Sequence, residues 1–155
     1  MRISVRFRWG LYVVFSLMFV TGVVWFLADW QKSATGSDTW QAISAWLLLV
    51  HGGGAMATLM LLGALLPVHV YRAWRGKRNR TSGAAMVALN SLLITTSFGL
   101  YYIGSEAIRP WMSNIHIAAG LCLPALLVGH IALGRRSRSR CGGALAPSEE
   151  DSPLN

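Results

Sequence analysis

The chain has 155 residues, is 54% hydrophobic and only 13% charged, and carries a formal net charge of +8. So little charge excludes a soluble helical bundle, in which every helix would need a polar stripe. The basic excess is clustered before, between and after the apolar runs, which excludes a nucleic-acid surface.

Four apolar stretches follow one another in chain order. The first runs from Trp9 to Ala28, behind Arg2, Arg6 and Arg8. That start resembles a secretion signal, but the apolar run is too long for one and no small-x-small cleavage site precedes Asp29, so a retained helix is expected. The second, Ala42 to Tyr71, contains WLLLVHGGGAMATLM and Pro67; the third runs from Ala84 to Ile103 and the fourth from Met112 to Leu133. Each is near or above the ~20 residues that cross a bilayer as a helix. Short connections make antiparallel neighbours. The expected fold is therefore all-α, an integral membrane four-helix up-down bundle over residues 1–136. Residues 137–155, ending in GGALAPSEEDSPLN, read as a disordered cytoplasmic tail.

Basic residues mark the topology. Arg2, Arg6 and Arg8 precede the first span, Arg72, Arg75, Lys77, Arg78 and Arg80 join the second to the third, and Arg135, Arg136, Arg138 and Arg140 follow the fourth. Together these are 12 of the 14 basic residues; the other connections hold only Lys32 and Arg109. The positive-inside rule puts both termini in the cytoplasm, and the same clusters meet anionic lipid headgroups. Cys122 falls in the fourth span and Cys141 in the tail, with no CxxC or CxxCH, so neither a disulfide framework nor covalent haem attachment is expected.

All four histidines lie in the second and fourth spans: His51, His69, His116 and His130. An ionisable side chain at membrane depth is expensive and by default functional. His51 and His69 are 18 residues apart, about five full turns and ~27 Å of rise, so they share a face. His116 and His130 are 14 apart, close to four turns and ~21 Å. The two spans run parallel, which sets His51 level with His116 toward the outer side and His69 level with His130 toward the cytoplasm. Two stacked cross-helix pairs suit haem iron, which takes an imidazole on each axial position. His51 would be a ligand, and Gly52, Gly53 and Gly54 would make room for a porphyrin or adjust the helix. Gly120, one turn after His116, and Gly129, before His130, would do the same. The unequal spacings differ by about 6 Å of rise; a tilt, or a bulge near Gly52–Gly54 or before Pro67, would absorb it.

On HGGG at His51, LPVHVYRAW at His69, SNIHIAAG at His116 and LVGHIALGRR at His130, the chain resembles bacterial four-helix di-haem b-type cytochromes, the cytochrome b561-like and cytochrome b-like membrane subunits. The likeness covers residues 8 to 136. It departs from the cytochrome b core in the 18-residue spacing, and from hydrogenase and formate dehydrogenase cytochromes in having no histidine on the first span. The resemblance implies a protein of the bacterial inner membrane. It also implies two haems b, the outer held by His51 with His116 and the inner by His69 with His130. Electrons would cross the membrane to or from quinone, a periplasmic redox protein or a larger redox complex of which this chain is a subunit. Arg72 and Arg75 would meet the inner haem's propionates, and Arg109 or Lys32 the outer's. Tyr101, Tyr102, Glu106, Asn90 and Ser91 are the polar groups near a quinone's depth; the tyrosines also suit an aromatic belt with Trp30, Trp40 and Trp111.

Two other readings use the same residues. A non-haem transporter or sensor would bind zinc, nickel or copper at the histidines, although no carboxylate, cysteine or methionine cluster joins them. A structural subunit would satisfy each imidazole by packing. No nucleophile–base pair, phosphate loop or carboxylate dyad supports hydrolytic or group-transfer chemistry.

Overall fold

The computed structural model describes residues 4–76 and 79–143. The protein is all-helical over these residues, with four helices long and apolar enough to cross a membrane. α1 spans Val5–Thr35 and α2 spans Asp38–Leu65; α2 continues through a π-helical turn, Leu66–Val70, into the short α3, Tyr71–Arg75. α4 spans Arg80–Tyr102 and α5 spans Arg109–Gly143. The fourth helix therefore runs past the boundary expected at residue 136. Residues 137–143 of the expected tail are helical, and residues 144–155 lie outside the described residues.

Local chemistry explains where these helices start and stop. The Ser4 hydroxyl caps α1 by accepting the Phe7 backbone N–H at 3.3 Å. Gly36 ends it in the left-handed conformation, φ 63°, and its N–H reaches Lys32 O at 2.9 Å. Asn79 turns the chain into α4 at φ 47°, a left-handed position that asparagine tolerates better than most residues. Pro67 and Pro124 each remove one helical donor. In both cases the residue four earlier, whose carbonyl the proline ring crowds, is a glycine: Gly63 and Gly120.

The four long helices form two tight antiparallel hairpins, α1 with α2 and α4 with α5, which meet each other through a slight contact of α1 with α5. The turns joining the helices within each hairpin lie at one end of the bundle, here the hairpin end; the start of α1 and the end of α5 lie at the other, the terminal end. Within each hairpin the close approaches use small residues, as in membrane helix pairs. The buried residues are Thr21 and Ala28 on α1, Ser44 and Gly54 on α2, Asn90, Thr96 and Gly99 on α4, and Ala119 on α5. No large apolar side chain among the described residues is buried, and the hairpins do not fill the space between α2 and α5. The bundle thus has an apolar exterior, and α2 and α5 face each other along a sparsely contacted seam, here called the cleft.

Candidate functional site

The cleft is where the histidines meet. His51 of α2 and His116 of α5 bring their rings to a centroid separation of 6.3 Å with planes at 76°. His69 and His130 do the same toward the terminal end, at 6.1 Å and 80°. His51 and His116 are partly buried, whereas His69 is exposed on the flank of the bundle. Both pairs join one hairpin to the other, so they bridge the interface that backbone packing leaves loose.

His69 sits inside the π turn. There the Tyr71 N–H reaches back to Leu66 O, five residues away, and Pro67 supplies no donor. The π turn takes up one extra residue, about 1.5 Å of helical rise. It therefore absorbs about a quarter of the difference between the two histidine spacings. The remainder falls to the crossing of α2 and α5 and to the reach of the rings.

Three of the four rings, those of His51, His116 and His130, are held from their own hairpin. Thr21 Oγ1 on α1 lies 2.9 Å from His51 Nδ1, and Thr96 Oγ1 on α4 lies 2.9 Å from His116 Nδ1. Ser82 Oγ on α4 lies 3.1 Å from His130 Nδ1. Gly22 makes room beside His51: a Cβ there would stand 3.3 Å from His51 Cε1. None of Thr21, Gly22, Ser82 or Thr96 was singled out by spacing. The available signal was a hydroxyl in an otherwise apolar span, one helix away from each histidine.

The glycines divide differently from the sequence expectation. Gly54 faces α1, where a Cβ would meet Met18 Sδ at 2.8 Å and Leu17 Cδ2 at 3.8 Å, so it serves the packing of α1 on α2 rather than the cleft. Gly52 has the Tyr101 hydroxyl as its nearest neighbour, 3.7 Å from a built Cβ. Gly53, Gly120 and Gly129 have nothing within 4 Å. Gly120 also stands four residues before Pro124, which gives it a backbone reason to be small.

The expected polar groups are scattered. Lys32 is engaged by Asp29 at 2.5 Å. Arg109 opens α5 seven residues before His116, and Arg72 lies in α3 three residues after His69; both are exposed. Tyr101 and Tyr102 are 80% and 74% exposed and Trp111 is 71% exposed, as lipid-interface aromatics are. Tyr102 stacks on Phe98 at 4.4 Å. The Asn90 amide donates to Met86 O at 2.8 Å, which satisfies it within its own helix. Buried Trp25 Nε1 and Ser44 Oγ have no partner. Ser44 is seven residues before His51 and so on its face, and Trp25 is one turn beyond Thr21.

The ring separations are compatible with two imidazoles sharing one metal ion. An imidazole nitrogen lies about 1.2 Å from its ring centroid and binds a first-row metal at about 2.0–2.1 Å, so two imidazoles on opposite sides of one ion place their centroids about 6.4 Å apart. Both observed separations, 6.3 and 6.1 Å, lie close to that value. Ordinary edge-to-face ring pairs also occur in this range; His51, His116 and His130 lie within candidate membrane spans, where ionisable rings are costly. Structural zinc takes four protein ligands and catalytic zinc three. No group of three or more His, Cys, Asp or Glu is gathered among the described residues. Two ligands per site suit a metal that brings its own equatorial donors. Compared with known proteins, the chain matches no family model, no curated protein and no solved structure.

Proposed function

We propose that this chain is a di-haem b-type cytochrome that moves electrons across a membrane, with His51 and His116 holding one haem and His69 and His130 the other. The observation that carries this reading is the recurrence of one His–His arrangement, at 6.3 and 6.1 Å, at two levels of a cleft between two hairpins. Bis-imidazole haem iron stays six-coordinate and exchanges single electrons without binding substrate. The chain's own residues do the rest. α2 and α5 set the span between the two sites, Thr21, Thr96 and Ser82 hold three of the rings, and Gly22 leaves space for His51. Arg109 at the hairpin end, and Arg72 and Arg75 at the terminal end, would meet the haem carboxylates.

The basic clusters support an orientation with both termini in the cytoplasm of a bacterial inner membrane, so the His51–His116 pair faces the outer side. The described residues include no extramembrane domain. In this reading the chain is a membrane subunit that exchanges electrons with quinone, a periplasmic redox protein or a larger redox complex.

The test is a dithionite-reduced minus oxidised spectrum of the detergent-purified protein with a pyridine haemochrome count. Two non-covalent haems per chain with a b-type α band are expected. Protein made with ample haem that carries none would sink the reading.

A further inference from the structure

The two threonines beside the hairpin-end pair do more than touch it. Thr21 Oγ1 lies 2.7 Å from Leu17 O and 3.2 Å from Met18 O, and Thr96 Oγ1 lies 2.8 Å from Leu92 O and 3.1 Å from Leu93 O. A hydroxyl has one hydrogen and two lone pairs. An oxygen–oxygen approach of 2.7–2.8 Å is a hydrogen bond or a repulsion. Each threonine hydrogen is therefore committed to the carbonyl four residues back, and only lone pairs remain for the imidazole 2.9 Å away. The proton on that contact must belong to histidine.

We infer that Thr21 and Thr96 are tautomer-setting positioning residues: each accepts the Nδ1–H of its histidine and so leaves Nε2 of His51 and His116 as the unprotonated, metal-competent nitrogen. The arrangement repeats with approximate two-fold logic. In each hairpin the first helix supplies the threonine and the second the histidine, at sequence separations of 30 and 20. Both threonines are almost fully buried, at 6% and 2% exposure, so water does not compete for the contact. Ser82 repeats the contact at His130 more loosely: its hydroxyl lies 3.4 Å from Asn79 O and 3.1 Å from the ring. A ligating histidine needs such an outer partner, because the partner fixes which nitrogen carries the proton, orients the ring and raises its basicity. The device makes the hairpin-end pair the more rigidly prepared of the two.

The inference deepens the haem reading, but its first test needs no haem. The full chain is prepared haem-free with ¹⁵N-histidine, and the ring nitrogens are read by NMR, with signals assigned from single His→Gln variants. The expected result is an Nδ1–H tautomer at His51 and His116, with a pyridine-like Nε2. Thr21→Val and Thr96→Val keep the shape and remove the hydroxyl acceptor, leaving only the backbone carbonyls of Met18 and Leu93 beside the rings, so each is expected to weaken the Nδ1–H preference of its own histidine alone; Thr21→Ser and Thr96→Ser are expected to retain it. An Nε2–H tautomer in the unsubstituted protein overturns the inference, whatever the haem content. Conversely, the expected tautomers in a protein that never binds haem would leave the inference standing and remove the cytochrome reading.

The second readout is the midpoint potential of the loaded protein. Losing the acceptor makes the imidazole a poorer donor to ferric iron, so the potential of the hairpin-end haem rises. A tenfold change in the ratio of ferric to ferrous binding corresponds to about 59 mV for a one-electron couple. A rise in the valine variants, reversed in the serine variants, with the other haem unmoved, is expected. Equal potentials in valine and serine variants would refute the positioning role.

Discussion

Adding a single methyl group at Gly22 separates fold stability from cofactor affinity. A Cβ at this position would lie 3.3 Å from His51 Cε1 and 3.8 Å from Nδ1. The comfortable separation between carbon atoms is about 3.5–4.0 Å, so the ring must give way by a few tenths of an ångström. It has little freedom to do so while Thr21 holds Nδ1 at 2.9 Å and His116 faces it across the cleft. Overpacking of this kind costs about 1–3 kcal/mol, and one methyl with a small overlap belongs near the lower end. Without a ligand the ring can relieve the overlap by giving up part of its Thr21 contact, whereas a ligand would fix it in place, so the strain is felt most in the ligand-bearing pose. Replacing a mid-helix glycine by alanine meanwhile favours the helix by about 1 kcal/mol. Gly22→Ala is therefore expected to leave thermal stability of the haem-free protein level or slightly raised. Affinity for one of the two haems should fall about five- to tenfold, at 1.4 kcal/mol per factor of ten. Gly22→Val, with two further methyls against the ring, should abolish that haem. Haem titration of the haem-free protein, followed in the α band, measures both sites at once, and the His69–His130 site serves as the internal control. If Gly22→Val bound two haems with unaltered affinities, Gly22 would not be the space-maker for a ligating His51.

Other expectations follow from the same geometry. His51→Gln and His116→Gln should each remove the same one of two haems, and His69→Gln and His130→Gln the other, as counted by pyridine haemochrome; loss of different haems within a pair would break the pairing. Pro67→Ala restores a donor toward Gly63 O and favours an uninterrupted α-helix through the π turn. That substitution should re-aim His69 and weaken the terminal-end haem first, seen as partial loss of one α-band component in a chain of unchanged or greater helicity. In a background of Cys122→Ala and Cys141→Ser, Ser37→Cys should react with an impermeant maleimide from the periplasmic side and Lys77→Cys only after permeabilisation. The reverse pattern would invert the proposed orientation.

Much of the architecture was legible because the bilayer is a demanding solvent. Runs of about 20 apolar residues have few alternatives to a spanning helix, so four candidate spans appear in the chain where hydropathy placed them, the first and fourth longer at both ends, the second and third beginning earlier but ending sooner. The histidine pairing was legible for the same reason: ionisable rings in apolar helices are few, and helical period fixes which of them share a face. The unequal spacings are met only in part by a local bulge: of the tilt or bulges expected, a π turn at Leu66–Val70 that contains His69 takes up about a quarter of the difference.

Contacts between helices were beyond the reach of a one-dimensional reading. Thr21, Thr96 and Ser82 gain their meaning from a hydrogen bond to a ring on another helix, and no spacing along one segment encodes that. The run of glycines after His51 illustrates the limit. Its composition announced that something must come close, yet only the packed hairpin decided that Gly54 admits Met18, while Gly22 on the neighbouring helix, unnoticed in the sequence, admits His51. Periodicity along a helix determines which residues share a face. The crossing of helices decides what that face meets, because side-chain contacts between helices depend on tilt, rotation and depth, which the pattern of apolar residues constrains only in part.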